Sequence, residues 1–355
     1  MHLRNLLPAL SLLLGVSAYA QQVKDLGQVS MSRWAVPAAN YSGITPLGAD
    51  RYALVSDKES ADGFYVMRIM QDAHSGRVDS IRVEGFHGNT KPVLDKDGMS
   101  RRDCEGIAFF PPAGTLFVSG EGDQQILEYA LDGQPTGRRL AVPAIFGADR
   151  IVANYGFEAL TYQAATHRFW TTTESTLKAD GPAAGPSAPG AQNLLRLQAF
   201  DDSLHPVAQY AYRMDRGRKE KFGKIYALGV PSLLALPDGR LLVLEREVNV
   251  TNNYVGSQVV CKLFLVQPDQ GWQIDSQTDL RRLDPNCFLI KRLLHTFTTR
   301  LSPISLAFAN YEGMCLGRRL ADGRQTILLV ADSQGGYGKV GLQLKDYLRV
   351  LVLTD

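Results

Sequence analysis

Hydrophobic positions follow a strand rhythm along almost the whole chain. Helical periodicity is poor after residue 20, and a two-part unit recurs instead. It consists of a short apolar run, a turn rich in Gly, Asp or Pro, and a second run of β-branched and aromatic residues. Five copies can be read directly. They are Tyr41–Ile44 with Tyr52–Asp57, Cys104–Phe109 with Thr115–Glu121, Gly156–Thr161 with Arg168–Glu174, Val230–Ala235 with Arg240–Glu245, and Asn310–Met314 with Thr326–Asp332. Each copy predicts a hairpin, with Pro237-Asp238-Gly239 and Ala321-Asp322-Gly323 as turns. A repeat made only of strands predicts an all-β fold, a β-propeller whose blades bury their faces against neighbours until the ring closes.

The outer strands complete the accounting. Blade one continues with Phe64–Met70 and Val78–Phe86, and blade two with Ile126–Leu131 and Arg138–Val142. Blade three continues with Leu194–Phe200 and Val207–Met214, and blade four with Val259–Val266 and Cys287–Phe297. The fifth repeat has only Asp346–Leu353 left. The strand-like Gly27–Val36 is expected to complete it, which removes open edges from the ring. This favours five blades, although the stretch from about 250 to 300 is long enough to hide a sixth. Ala179–Gln192, rich in Ala, Gly and Pro, reads as a mobile loop within blade three.

Composition narrows the function. The chain has 355 residues, 45% hydrophobic and 21% charged, with a formal net charge of +2. It can bury a large core, and near-neutral charge gives no general case for nucleic acid. Met1–Ala20 reads as a secretory signal: a basic start (His2, Arg4), an apolar middle (Leu6–Val16) and the small-x-small site Ala18-Tyr19-Ala20. The competing reading is an N-terminal membrane anchor, for which the apolar stretch is short. The expectation is therefore a single propeller domain over 21–355, secreted or periplasmic, with no span after cleavage. Such a compartment permits disulfides. If Val259–Phe264 and Cys287–Ile290 are adjacent strands, Cys261 and Cys287 can pair.

Acidic residues recur at one level of the repeat. The first strands open with Ser42, Glu105, Glu158, Ser232 and Glu312, and their partners close with Asp57, Glu121, Glu174, Glu245 and Asp332. A hairpin returns the end of its second strand to the level where the first began, so both sets are expected around one mouth of the ring. Converging carboxylates repel, and burying them unpaired is costly. A hard cation with oxygen ligands, Ca²⁺ or else Mg²⁺, would relieve this, held by Glu105, Glu158, Glu245, Glu312 and Asp332. Arg246, Lys58 and Arg102 are the expected grips for an anionic substrate. Together these parts suit metal-assisted phosphoester hydrolysis, with Glu105, Glu158 and Glu312 as catalytic candidates. The same Glu-Gly pattern also fits carboxylates that only satisfy backbone N–H groups at strand starts. Other chemistry is unsupported: there is no G-x-S-x-G elbow and no H-E-x-x-H.

Several segments together resemble one known family. They are Cys104-Glu105-Gly106-Ile107-Ala108, Gly156-Phe157-Glu158-Ala159-Leu160, Leu242-Val243-Leu244-Glu245-Arg246, Asn310-Tyr311-Glu312-Gly313-Met314 and Leu328-Leu329-Val330-Ala331-Asp332-Ser333. The family is the secreted "esterase-like activity of phytase" group, also called phytase-like domain proteins, and the resemblance runs over nearly all the mature chain. It implies a propeller and ester or phosphoester hydrolysis, and carries interest to Glu105, Glu158, Glu245, Arg246, Glu312 and Asp332. Ala159 stands where the family usually has Gly. The resemblance names no nucleophile. The leading expectation is a monomeric hydrolase acting on a small anionic or phosphorylated substrate. The alternative is a noncatalytic propeller that binds a ligand or partner around a structural metal.

Overall fold

The computed structural model describes residues 21–217, 222–252, 254–302, 307–336 and 344–354. The expected signal segment, 1–20, lies outside the described residues. Five antiparallel sheets of four strands each make the blades. Blade one is β2 (Tyr41–Gly48), β3 (Arg51–Ser56), β4 (Gly63–Gln71) and β5 (Val78–Gly88). Blade two is β6 (Cys104–Phe110), β7 (Thr115–Gly120), β8 (Gln125–Tyr129) and β9 (Pro135–Arg139). Blade three is β10 (Phe157–Gln163), β11 (Arg168–Thr173), β12 (Leu194–Asp201) and β13 (Pro206–Arg213). Blade four is β14 (Ile225–Ala235), β15 (Leu241–Val250), β16 (Gln258–Val266) and β17 (Lys291–Arg300). Blade five is β18 (Asn310–Arg319), β19 (Gln325–Asp332) and β20 (Tyr347–Thr354), completed by β1 (Gln22–Ser30). The protein is a five-bladed propeller, and its inner strands β2, β6, β10, β14 and β18 touch in sequence round to β2.

Alternating apolar residues give every blade two buried faces, and one core cluster fills each junction between neighbours. Leu54, Met67 and Ile69 of blade one meet Leu328 and Val330 of blade five. Val66 meets Ile107 and Val118 between blades one and two, and Phe117 meets Phe157 and Phe169 between two and three. Trp170 and Tyr212 meet Leu233 and Val243 between three and four. Leu244 and Leu263 meet Ile327 and Leu329 between four and five. Among the described residues no helix is long and apolar enough to cross a membrane.

The ring closes through its N-terminus as the pattern predicts, but earlier in the chain. β1 pairs with β20 from Gln22–Thr354 to Ser30–Tyr347, and Met31–Trp34 is already a turn of 3-10 helix. The long region after β16 holds no sixth blade. It is a strap laid along β13, the outer edge of blade three, where Ile274 N donates to Gln209 O and Leu289 N to Ala211 O. Strapping this edge caps backbone groups that would otherwise be open to another chain. The loop expected to be mobile, 179–192, is tied down: Asp180 and Arg196 form a buried ion pair at 2.7 Å.

The expected disulfide is a correction. All four cysteines are free. Cys261 faces Phe297, whereas Cys287 sits in the turn Pro285–Cys287, before β17 begins at the Val266 end of the pair. Five strand residues separate Cys261 from Val266, roughly 17 Å at the usual rise, far beyond disulfide reach.

Candidate functional site

One irregularity recurs in all five blades. The register between the first two strands slips between Tyr41 and Gly43, Cys104 and Ile107, Phe157 and Ala159, Gly229 and Ser232, and Tyr311 and Gly313. These are β-bulges at one level of the ring, and a bulge re-aims the extra side chain. The bulged positions hold Ser42, Glu105, Glu158 and Glu312. The Glu-Gly pairing also has a packing cause. A Cβ on Gly43 would lie 2.4 Å from the Glu105 carbonyl oxygen, and one on Gly106 would lie 2.4 Å from that of Glu158. Inner strands therefore meet backbone to backbone beside the acidic positions.

The carboxylates fall into two groups. Arg246, buried, donates from Nη1 to Glu312 at 2.6 Å and from Nη2 to Glu174. Asn310 Nδ2 adds a bond to Glu312 at 2.6 Å. On the other side Glu105 and Glu158 are only 6% and 9% exposed. No side chain or backbone group among the described residues hydrogen-bonds to either carboxylate. Glu105, Glu121 and Glu158 bring one oxygen each within 4.8 Å of one another, as do Asp57, Asp103 and Glu105. The second trio already holds a cation: Lys58 Nζ lies 2.8 Å from Asp57 and 3.0 Å from Asp103. Among the described residues the first holds none, and its one hydrogen-bond donor is Gly156 N, 2.8 Å from Glu121 Oε1.

Protonation follows this division. Burial, then the charge of Glu158, holds the Glu105 carboxyl well above the usual range. Glu158 is pushed up well above it by burial, then by Glu174 and Glu312. Burial raises Glu121 to about 7 against the pull of the Gly156 N–H. Glu174 and Glu312 are raised by burial too, but Arg246 draws both down. Without a further cation, the Glu105–Glu121–Glu158 trio cannot ionise freely at neutral pH.

Not every expected residue reaches this cup. Neighbours in a strand face opposite ways, so Arg246 points to the mouth and Glu245 away from it. Glu245 is held by Tyr212 Oη at 2.7 Å, Asp215 N at 3.0 Å and Lys291 Nζ at 2.5 Å, between blades three and four. Arg102 is consumed structurally: it donates to Asp123 at 2.6 Å and to Val118 O at 2.9 Å. Ser232 pairs regularly with Leu244, beyond the bulge, so blade four offers Arg246 in place of an inner carboxylate. Burial, then the charges of nearby Glu312 and Asp57, raises the Asp332 carboxyl, but both its oxygens accept from Gln334 in the turn that follows. Lys58 does reach the rim, with its side chain 53% exposed. Asp103, Glu121 and Glu174 also shape the cup, although they were not among the ligands expected. Glu121 and Glu174 carried the strand-closing signal. Asp103, in a left-handed turn at φ 53°, carried no signal beyond its place before Cys104-Glu105-Gly106.

The profile of the Phytase-like family, described as esterase-like activity of phytase, matches residues 36–334. The chain belongs to the Phytase-like family. A search of curated proteins finds no match. Among solved structures, this Phytase-like propeller is similar to a Penicillium chrysogenum α-L-arabinanase complexed with arabinobiose, at 13% identity and TM-score 0.42, over 92% of this chain and 98% of that one. It is similar to a GH43 β-xylosidase/α-arabinofuranosidase from a compost metagenome, at 10% identity and TM-score 0.41, over 94% of each chain. A nidogen/laminin complex matches at 9% identity and TM-score 0.36, over 88% of this chain and 81% of that one.

Proposed function

We propose that this Phytase-like propeller is an exported, metal-assisted phosphoester hydrolase working in the cup at the mouth of the ring. The observation that carries this is the trio Glu105, Glu121 and Glu158, three converging carboxylates with no internal cation. An all-oxygen donor set suits Ca²⁺ or Mg²⁺. When bound, such a cation would polarise a phosphoryl oxygen and acidify a water. The chain supplies the rest. Lys58 at the rim would meet the substrate's anionic oxygens, and could leave Asp57 and Asp103 to do so. Glu312, oriented by Arg246 and Asn310, would accept a proton from the attacking water. Arg246 offsets part of the charge of Glu174 and Glu312, whereas the Glu105–Glu121–Glu158 side has no cation of its own, so the metal is directed there.

A second reading draws on the depth of burial. Glu105 and Glu158 at 6% and 9% exposure also suit a structural cation in a propeller that only binds a partner. The deciding experiment is a panel of phosphomonoesters, phosphodiesters, phytate and carboxyl esters, with Ca²⁺, Mg²⁺ or chelator. Metal-dependent turnover of a phosphoester that is abolished in Glu312→Gln supports hydrolysis. Tight metal binding without turnover on any substrate favours the second reading. Export is tested separately, by sequencing the mature N-terminus, which is expected at Gln21.

A further inference from the structure

Away from the cup, a cleft of about 380 Å³ opens between blade three and the strap that precedes β17. Met214, Phe288 and Leu289 lie beneath it, all buried, and Gln192 and Asn286 share its lining. Ile290 stands at its lip with 90% of its surface in water, although it is a large aliphatic side chain. The charges around the cleft are paired with one exception. Lys291 is held by Asp215 and Glu245, and Lys262 by Asp215. Arg213 has no carboxylate partner among the described residues. Its guanidinium carbon lies over the Phe288 ring, 4.1 Å from the centroid.

Of the charged residues lining the cleft, two cations, Arg213 and Lys291, meet one carboxylate, Asp215, which leaves one positive charge here. It belongs to a planar guanidinium held against an aromatic ring, a group that can receive a carboxylate in two parallel bonds. A cavity of this size with both polar and apolar lining has room for a small ring-bearing molecule. We propose that this cleft is a second ligand site, specific for a small aromatic carboxylate. Arg213 grips the anionic end, and the ring packs on Leu289 and Ile290.

Benzoate is the probe, titrated calorimetrically into the mature chain, with benzamide and acetate as controls. Saturable benzoate binding is expected, about tenfold or more weaker for either control and for Arg213→Ala. Ile290→Asp, at an exposed position, should weaken binding similarly by placing a negative charge at the lip. It keeps the test open if Arg213→Ala folds poorly. Glu105→Gln should leave benzoate affinity unchanged, which separates this site from the cup. The proposal is overturned if wild type shows no saturable binding, or if both Arg213→Ala and Ile290→Asp bind as wild type does. It is equally overturned if Glu105→Gln abolishes binding, because the anion then belongs to the mouth.

Discussion

At the residue scale, the cup is organised by which carboxylates own a counterion. Arg246 serves Glu174 and Glu312, Lys58 serves Asp57 and Asp103, and Glu105 with Glu158 has none. A buried, unpaired carboxylate destabilises the fold that holds it. Metal-free Glu105→Gln should therefore melt at or above the metal-free wild type, while its rise in Tm on adding Ca²⁺ should shrink at least severalfold. Differential scanning calorimetry with and without Ca²⁺ checks this, and a variant that melts lower but keeps the full Ca²⁺ effect contradicts it. The pH dependence has a definite sign. Glu121 moves from an ordinary 4.5 up to about 7 in the folded chain. Its contribution to stability is fully present below pH 4.5 and is lost as pH rises through about 7. Metal-free protein should weaken over that window, and the stabilisation by Ca²⁺ should be small at pH 5 and large at pH 8. A Ca²⁺ effect that is flat with pH would remove these carboxyls as ligands. At this scale the sequence was a fair guide to residue type and a poor one to direction. Glu245 and Arg246 are adjacent in one motif, yet only strand alternation decides that Arg246 meets the cup.

At the element scale, the hairpin repeat was legible because each blade needs its apolar alternation, and the closing strand was legible because blade five lacked one. The bulges were not. A one-residue slip leaves no mark in hydrophobic pattern, yet it turns Ser42, Glu105, Glu158 and Glu312 from the blade faces toward the mouth. The strap kept a sixth blade open beside the favoured five because apolar residues that cap an edge look like residues that pair. Close approach of inner strands makes its own prediction. In Gly106→Ala the new Cβ would sit 2.4 Å from the Glu158 carbonyl oxygen and 2.9 Å from the Leu160 Cβ. Backbone cannot yield there without moving Glu158, so the change should cost about 1–3 kcal/mol and also weaken metal affinity. The reverse change, Ala159→Gly, removes one buried methyl from the core between blades three and four, away from that contact, and should cost about 1 kcal/mol while leaving metal affinity unchanged. Denaturant titration and Ca²⁺ binding on the two variants test both numbers; if Gly106→Ala is silent in both, the backbone contact is not what fixes the cup.

At the scale of the whole molecule, five junctions filled by similar cores make each blade depend on two neighbours, so the ring is expected to unfold as one unit. Among the described residues, β1 with β20 is the one hydrogen-bonded strand pair in this circle whose members are far apart in sequence. β1 pairs with β20 along its length, and Asp25 reaches both Arg349 within blade five and His295 of blade four. Removing residues 21–30 would leave β20 as an open edge with buried apolar neighbours Leu348, Val350 and Val352, a template for pairing with other chains. The truncated protein should lose its single sharp transition and associate at micromolar concentration. Adding a synthetic peptide of residues 21–30 should restore both the monomer and the sharp transition, since the pairing is antiparallel and needs no covalent link. Calorimetry and sedimentation would measure these. Because blade five also carries Glu312 and thereby the Arg246 pairing, the truncated chain should lose Ca²⁺ affinity in parallel and regain it with the peptide. If it kept wild-type affinity without the peptide, the cup would be independent of ring closure.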